Sequence, residues 1–174
     1  ALALLLGITR HIPQAHQSIM EGRWDRKTFT GIQLLDKTVG IIGCGRVGSN
    51  VAKRLQAFNM KTIGYDPYIS AERGKQLGVE LVDLDTLLAE SDYITLHTPL
   101  TDETRGMIGA EEIAKMKDGV RVINVSRGAV LDNGLRGRLL RDRHVGRRSI
   151  GLRRRSLCRV GVLGQCVQCR RATA

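Results

Sequence analysis

The sharpest chemical signal in this chain is Gly43-Cys44-Gly45-Arg46-Val47-Gly48, a G-x-G-x-x-G, with Asp66 standing 18 positions after its last glycine. That combination suits a dinucleotide. Gly43 permits a sharp turn, Gly45 lets a pyrophosphate approach the backbone, and Gly48 lets the following helix pack close to the preceding strand. Free N–H groups at the helix start, at the positive end of its dipole, hold phosphate oxygens. A carboxylate at Asp66 can accept hydrogen bonds from both ribose hydroxyls and repels a 2′-phosphate, which favours NAD over NADP. The plainer alternative is a tight strand-to-helix turn without a ligand. Arg46 lies either over the pyrophosphate or in solvent, and Cys44 is expected to fill a gap as a small residue.

Such a loop carries chemistry only where a strand enters it and a helix leaves it. Thr38–Gly43 is a short, β-branched apolar run, as a strand buried on both faces should be. After the glycines, Val47, Val51, Leu55 and Phe58 share one helical face. Lys61–Asp66, Gly78–Val82, Tyr93–Pro99 and Val120–Val125 read as four further strands. Leu84, Leu87 and Leu88 follow the third strand at helical offsets. A helix over Ala110–Lys117 has Glu111 and Glu112 in its first turn, Lys115 and Lys117 in its last, and Gly119 to end it. Strands alternating with helices predict an α/β fold with a doubly wound parallel sheet of the Rossmann kind. Upstream, Leu2, Leu5 and Leu6 place an apolar face on one helix through "ALALLLGITRHI". A polar connection around Trp24 then leads to the first strand.

The net charge of +11 comes mostly from the end of the chain. Residues 147–174 hold eight arginines and no Lys, Asp or Glu, which leaves 20 basic and 17 acidic side chains elsewhere. That tail has no aromatic residue for base stacking and no recognisable reading module, so nucleic acid is not an expected partner. Its Cys158, Cys166 and Cys169 offer one C-x-x-C and lack a fourth ligand, so no metal site is expected. No stretch approaches the ~20 apolar residues of a membrane span. With Cys44 the single cysteine before the tail, a reducing compartment and a cytoplasmic location are expected. The chain lacks an initiator Met, which points to a start within a longer protein.

His11–Ser70, Ser91–Gly109 and Met116–Gly134 carry several motifs in order: the glycine loop and Asp66, then "HTPLTDET", then "NVSRG". In these the chain resembles the D-isomer-specific 2-hydroxyacid dehydrogenases over about Ala1 to Gly134. The resemblance implies NAD as cofactor and a 2-hydroxy acid or 2-oxo acid as substrate, with 3-phosphoglycerate, of serine biosynthesis, the substrate it suggests. It implies that Gly43, Gly45, Arg46, Val47 and Gly48 hold the pyrophosphate and that Asp66 holds the adenosine ribose. Thr98 and Pro99 would line the cleft, and Val125 and Ser126 would contact NAD. Arg127 matches the arginine that clamps the substrate carboxylate and polarises the 2-oxo group. A guanidinium fork suits that task, since it grips a carboxylate bidentately and stays charged. The alternative for Arg127 is a surface arginine after a strand. His97 is placed by the resemblance beside the cofactor and not in proton transfer, and a homodimer is implied for the intact protein.

In that family a sixth strand and then a glutamate and a histidine follow. Here the last glutamate is Glu112, and His144 falls in a turn, not at the place of the catalytic histidine. The sequence therefore divides into residues 1–30, a helix and connection from a substrate domain; 31–146, the NAD-binding domain, incomplete; and 147–174, a tail expected to be disordered. A shifted reading frame or a truncated gene copy would account for that tail. The expected function is a dehydrogenase fragment inactive alone; the alternative is a non-catalytic NAD sensor or corepressor-like module on the same fold.

Overall fold

The computed structural model describes residues 1–132 and, for their backbone, the strands over 157–161 and 165–170. The domain boundary at 146, the turn with His144 and the remaining tail residues lie outside the described residues. The chain opens with α1 (Leu2–Thr9) and α2 (Ile12–Met20), followed by β1 (Thr38–Ile42), α3 (Arg46–Gln56), β2 (Lys61–Tyr65), α4 (Ala71–Gln76), β3 (Glu80–Leu81), α5 (Leu84–Glu90), β4 (Tyr93–Leu96), α6 (Ala110–Lys115) and β5 (Arg121–Asn124). A 3₁₀ turn covers Gly128–Val130, and β6 (Leu157–Gly161) and β7 (Gln165–Arg170) come last.

The sheet runs β3-β2-β1-β4-β5-β7-β6. The first five strands are parallel, with Val39 opposite Thr62 on one side and Tyr93 on the other. This is the doubly wound arrangement the sequence implies, and chain order reverses between β1 and β4. Beside β5, β7 runs antiparallel, setting Ile123 opposite Cys166, and β6 pairs antiparallel with β7. The described part of the tail is therefore strand backbone on the edge of the sheet.

Alternation along the strands sends side chains into two cores. Ile42, Ile63, Ile94, Leu96 and Val122 pack with Leu87, Leu88 and Met116 under α5 and α6. Val39, Ile41, Tyr93 and Ile123 pack with Leu5, Val51, Ala52 and Leu55 under α1 and α3. With both faces covered, the strands have no polar side, which is why they read as continuous apolar runs. Leu87, Leu88 and Leu96 have no exposure at all. Truncating any one to alanine opens a cavity costing about 2–5 kcal/mol.

Several elements differ from the sequence reading. The single N-terminal helix is two helices, broken where His11 takes a left-handed conformation at φ 54°. Pro13 explains the break: its ring nitrogen cannot donate to the carbonyl four residues back, and Pro13 instead opens α2. The connection around Trp24 consequently starts later, after Met20. The short helix α4 carries no sequence expectation; the Ser70 side chain caps it by accepting from the Arg73 N–H at 3.2 Å. Finally β4 stops at Leu96, three residues before its proline, and β3 keeps only Glu80 and Leu81. Among the described residues no helix is long and apolar enough to cross a membrane.

Candidate dinucleotide site

Every residue expected to bind cofactor or substrate follows the carboxyl end of a parallel strand. Gly43–Gly48 leaves β1, Asp66 leaves β2, Thr98 and Pro99 leave β4, and Val125, Ser126 and Arg127 leave β5. In open α/β sheets the crevice beyond the strand ends, where the chain order reverses, is the place where ligands bind.

The three loop glycines have different reasons to be glycine. Gly43 sits at φ +88°, a conformation side chains rarely adopt, and donates its N–H to the Tyr65 carbonyl at 2.9 Å. A Cβ at Gly48 would run into the Gly43 carbonyl oxygen, so the helix start needs glycine to approach the strand. Among the described residues, a Cβ at Gly45 would meet nothing within 4 Å. The fold itself therefore has no use for glycine at position 45, whereas a pyrophosphate lying on the backbone does. Arg46 and Val47 are exposed in the first turn of α3. No side chain caps that helix and its first turn holds no acidic residue, in contrast to α5, whose Asp83 accepts the Thr86 N–H at 2.8 Å. The N–H groups at the α3 start, left without a capping side chain, suit an anion.

The Asp66 carboxylate is tied into this loop. Its Oδ2 accepts the Cys44 N–H at 2.8 Å and its Oδ1 the Tyr68 N–H at 3.0 Å, each oxygen keeping a further lone pair for a ribose hydroxyl. Cys44 is 3% exposed and lies above Gly64, where a Cβ would stand 2.7 Å from its Sγ. Burial first, and then the Asp66 charge, push its thiol up to about 12, so it packs and does not react as a thiolate.

On the far wall, His97 donates its N–H to the Ile42 carbonyl at 2.8 Å, and Thr98 Cγ2 lies 3.1 Å from where a Gly43 Cβ would be. The Thr98 Oγ1 is buried without a hydrogen-bond partner among the described atoms, and an unpaired buried hydroxyl at this strand end suits a polar ligand. Beyond it, β5 ends in Asn124, whose side chain organises the next turn. Its Oδ1 accepts from both the N–H and the hydroxyl of Ser126 at 2.9 Å, and its Nδ2 donates to the Arg127 carbonyl at 3.0 Å. Val125 and Arg127 are exposed, and among the described residues the Arg127 guanidinium is held only by a long bond to the Ser126 carbonyl, 3.4 Å. A guanidinium so placed can swing to a carboxylate. The sequence assigns Asn124 no role; the one signal it carries is a polar amide at the end of a mostly apolar strand run. The loop glycines, Asp66, Thr98 and the α3 start lie at the ends of neighbouring strands and offer the donors and acceptors that suit a dinucleotide.

Burial first, and then the amino-terminal charge, depress the His97 imidazole to about 4, and its Nε2 lies 3.0 Å from Thr95 Oγ1. It is neutral at physiological pH. Between about pH 6.5 and about pH 4 the unfolded chain binds this proton and the folded chain does not, so stability is present above that window and falls as pH falls through it. The loss is on the order of 3 kcal/mol. Denaturant midpoints measured at about pH 7.5 and about pH 4.5 should drop more for the wild type than for His97→Gln, which has no such proton to bind. Equal drops would show that His97 does not carry this dependence.

Residues 2–147 match the family described as D-isomer specific 2-hydroxyacid dehydrogenase, NAD binding domain. The D-3-phosphoglycerate dehydrogenase of Archaeoglobus fulgidus is 56% identical over 132 residues, 76% of this chain and 25% of that protein. The hydroxypyruvate reductase of Thermotoga maritima is 52% identical over 132 residues, 76% of this chain and 42% of that one. The crystal structure of D-lactate dehydrogenase from Aquifex aeolicus, complexed with NAD and lactic acid, superposes with a TM-score of 0.75 at 37% identity. It covers 81% of this chain and 42% of that one. The chain thus spans a quarter to about two-fifths of the length of these relatives.

Proposed function

The chain belongs to the D-isomer-specific 2-hydroxyacid dehydrogenases, matched through their NAD-binding domain, and on that premise we propose that it is the cofactor half of a 3-phosphoglycerate dehydrogenase, unable to turn over alone. The observation that carries the cofactor role is the Asp66 carboxylate fastened to the glycine loop at the point where strand order reverses. Phosphoglycerate as substrate is supported by the Archaeoglobus relative; the 52% identical relative named hydroxypyruvate reductase would favour a 2-oxo acid instead.

In this reading the α3 N–H groups bind the pyrophosphate, and Asp66 binds and orients the adenosine ribose. Thr98 donates its hydroxyl, unpaired among the described atoms, to the dinucleotide. Arg127, on the turn fixed by Asn124, grips the substrate carboxylate and draws electron density from the C2 oxygen as the carbonyl forms. Bound NAD⁺ supplies the hydride acceptor. What this sequence does not provide is a base for the hydroxyl proton: no glutamate follows Glu112, and His97 lies at the end of β4 with its Nε2 engaged by Thr95. Loss of such a base slows a reaction by ~10²–10⁴. The homodimer belongs to the same proposal, supported by the exposed apolar side chains of Ile19 and Met20 on α2 and of Trp24 beyond it.

Purified chain mixed with NAD⁺ and 3-phosphoglycerate should produce no NADH above the buffer rate. Formation of NADH at an ordinary dehydrogenase rate, roughly 1–10³ per second, would refute the proposed inactivity.

A further inference from the structure

Two short turns flank the cleft on either side of β1. After β2, the Tyr68 N–H donates to Asp66 Oδ1 at 3.0 Å, while the second oxygen of that carboxylate holds the Cys44 N–H at 2.8 Å. After β4, the Thr101 N–H donates to Thr104 Oγ1 at 2.8 Å, and the Thr104 hydroxyl donates to the Pro99 carbonyl at 2.7 Å. Each turn is fixed by its own hydrogen bonds. A single side-chain bond joins them among the described residues: the Tyr68 hydroxyl donates to Glu103 Oε2 at 3.1 Å, across 35 residues of sequence.

The sheet order gives that bond its meaning. Since β1 lies between β2 and β4, a bond from the β2 turn to the β4 loop passes over the carboxyl end of β1, where the Gly43–Gly48 loop begins. Packing does not hold the tyrosine there, because it is 83% exposed. Its hydroxyl remains a donor: the bond to Glu103, the charge of that carboxylate and the smaller charge effect of Asp66 all raise its pKa above the ordinary phenol value.

We propose that Tyr68 and Glu103 form a strap across the adenosine end of the NAD cleft, in which Tyr68 is a positioning residue that couples the Asp66 turn to the Thr98–Pro99 wall. The proposal rests on reading this cleft as an NAD site and adds to it a device for holding its two walls at one spacing. A ligand gripped on one side by Asp66 and on the other by the β4 loop binds most tightly when that spacing is set beforehand, because less ordering then accompanies binding.

The test is calorimetric titration of the whole chain and its variants with NAD and with ADP-ribose, which contains the adenosine end and lacks nicotinamide. Tyr68→Phe, which removes the hydroxyl and keeps the ring, and Glu103→Ala should each weaken both ligands by about threefold to tenfold. Glu103→Gln keeps an acceptor oxygen and should bind within about twofold of the wild type. The double variant Tyr68→Phe with Glu103→Ala should be no weaker than either single one, since both remove the same bond. Denaturant midpoints should stay unchanged, because both side chains are exposed. Unchanged affinity in Tyr68→Phe and Glu103→Ala would overturn the strap, as would a loss in Glu103→Gln equal to that in Glu103→Ala. If the wild type binds neither ligand, the cofactor reading falls and the strap with it. If the wild type binds and the variants bind equally well, only the strap falls.

Discussion

Gly48→Ala should unfold at a clearly lower denaturant concentration than the wild type, whereas Gly45→Ala should keep the wild-type midpoint and lose affinity for NAD. The two glycines sit three residues apart in one loop, yet the fold uses them differently. At position 48 an added methyl has to enter space occupied by the Gly43 carbonyl oxygen, and that oxygen is backbone that cannot swing aside. The helix must then lift from β1, disturbing Val51 and Ala52 in the core beneath it. Overpacking of this kind costs about 3 kcal/mol. At position 45 the added methyl meets no atom of the described residues within 4 Å, and φ is −65°, which alanine adopts freely. Stability should change by less than about 0.5 kcal/mol. The methyl instead stands where a pyrophosphate approaches the backbone, and NAD should bind at least about tenfold more weakly. Equal stability losses in the two variants would mean that Gly45 serves the fold, and the case for a phosphate at this loop would lose its support.

Asp66→Ala should weaken NAD by about 10-fold to 100-fold, the cost of losing charge-assisted hydrogen bonds to the ribose hydroxyls. It should also weaken the loop, since the Cys44 N–H loses its 2.8 Å acceptor. Asp66→Asn separates these effects. The amide keeps an acceptor for Cys44 and removes the negative charge, so stability should stay nearer the wild type while discrimination against NADP falls. The quantity to measure is the ratio of NADP to NAD dissociation constants, which should shrink in both variants. An unchanged ratio in Asp66→Asn would show that the carboxylate charge does not select the cofactor.

Much of this arrangement is legible in the sequence because it is local. The strand entering the glycine loop, the helix leaving it and the acidic residue ending the next strand lie within 29 residues, from Thr38 to Asp66. Their apolar patterns follow directly from burial on both faces. The parts that could not be read depend on residues far apart or on competing local effects. Leu2, Leu5 and Leu6 suggest one long helix, and only the weight given to Pro13 decides that it breaks at His11. In α4 the glycine at position 74 hides a helix, and its reason lies elsewhere: a Cβ there would meet Leu81 Cγ at 2.8 Å. Asn124 reads as part of a strand, since its hold on Ser126 and Arg127 shows only once the chain has turned. The bond from Tyr68 to Glu103 spans 35 residues and has no periodic pattern to announce it. The roles given to Arg46, Val47, Pro99 and Val125 rest on the resemblance and on their places at the strand ends, and they remain part of the proposal.

The cofactor site is tested most directly by calorimetric titration of the purified chain with NAD and, separately, with NADP. One saturable site per chain for NAD, with NADP at least about tenfold weaker because its 2′-phosphate meets the Asp66 charge, is the expected result. Absence of NAD binding, or NADP binding as tightly as NAD, would contradict it.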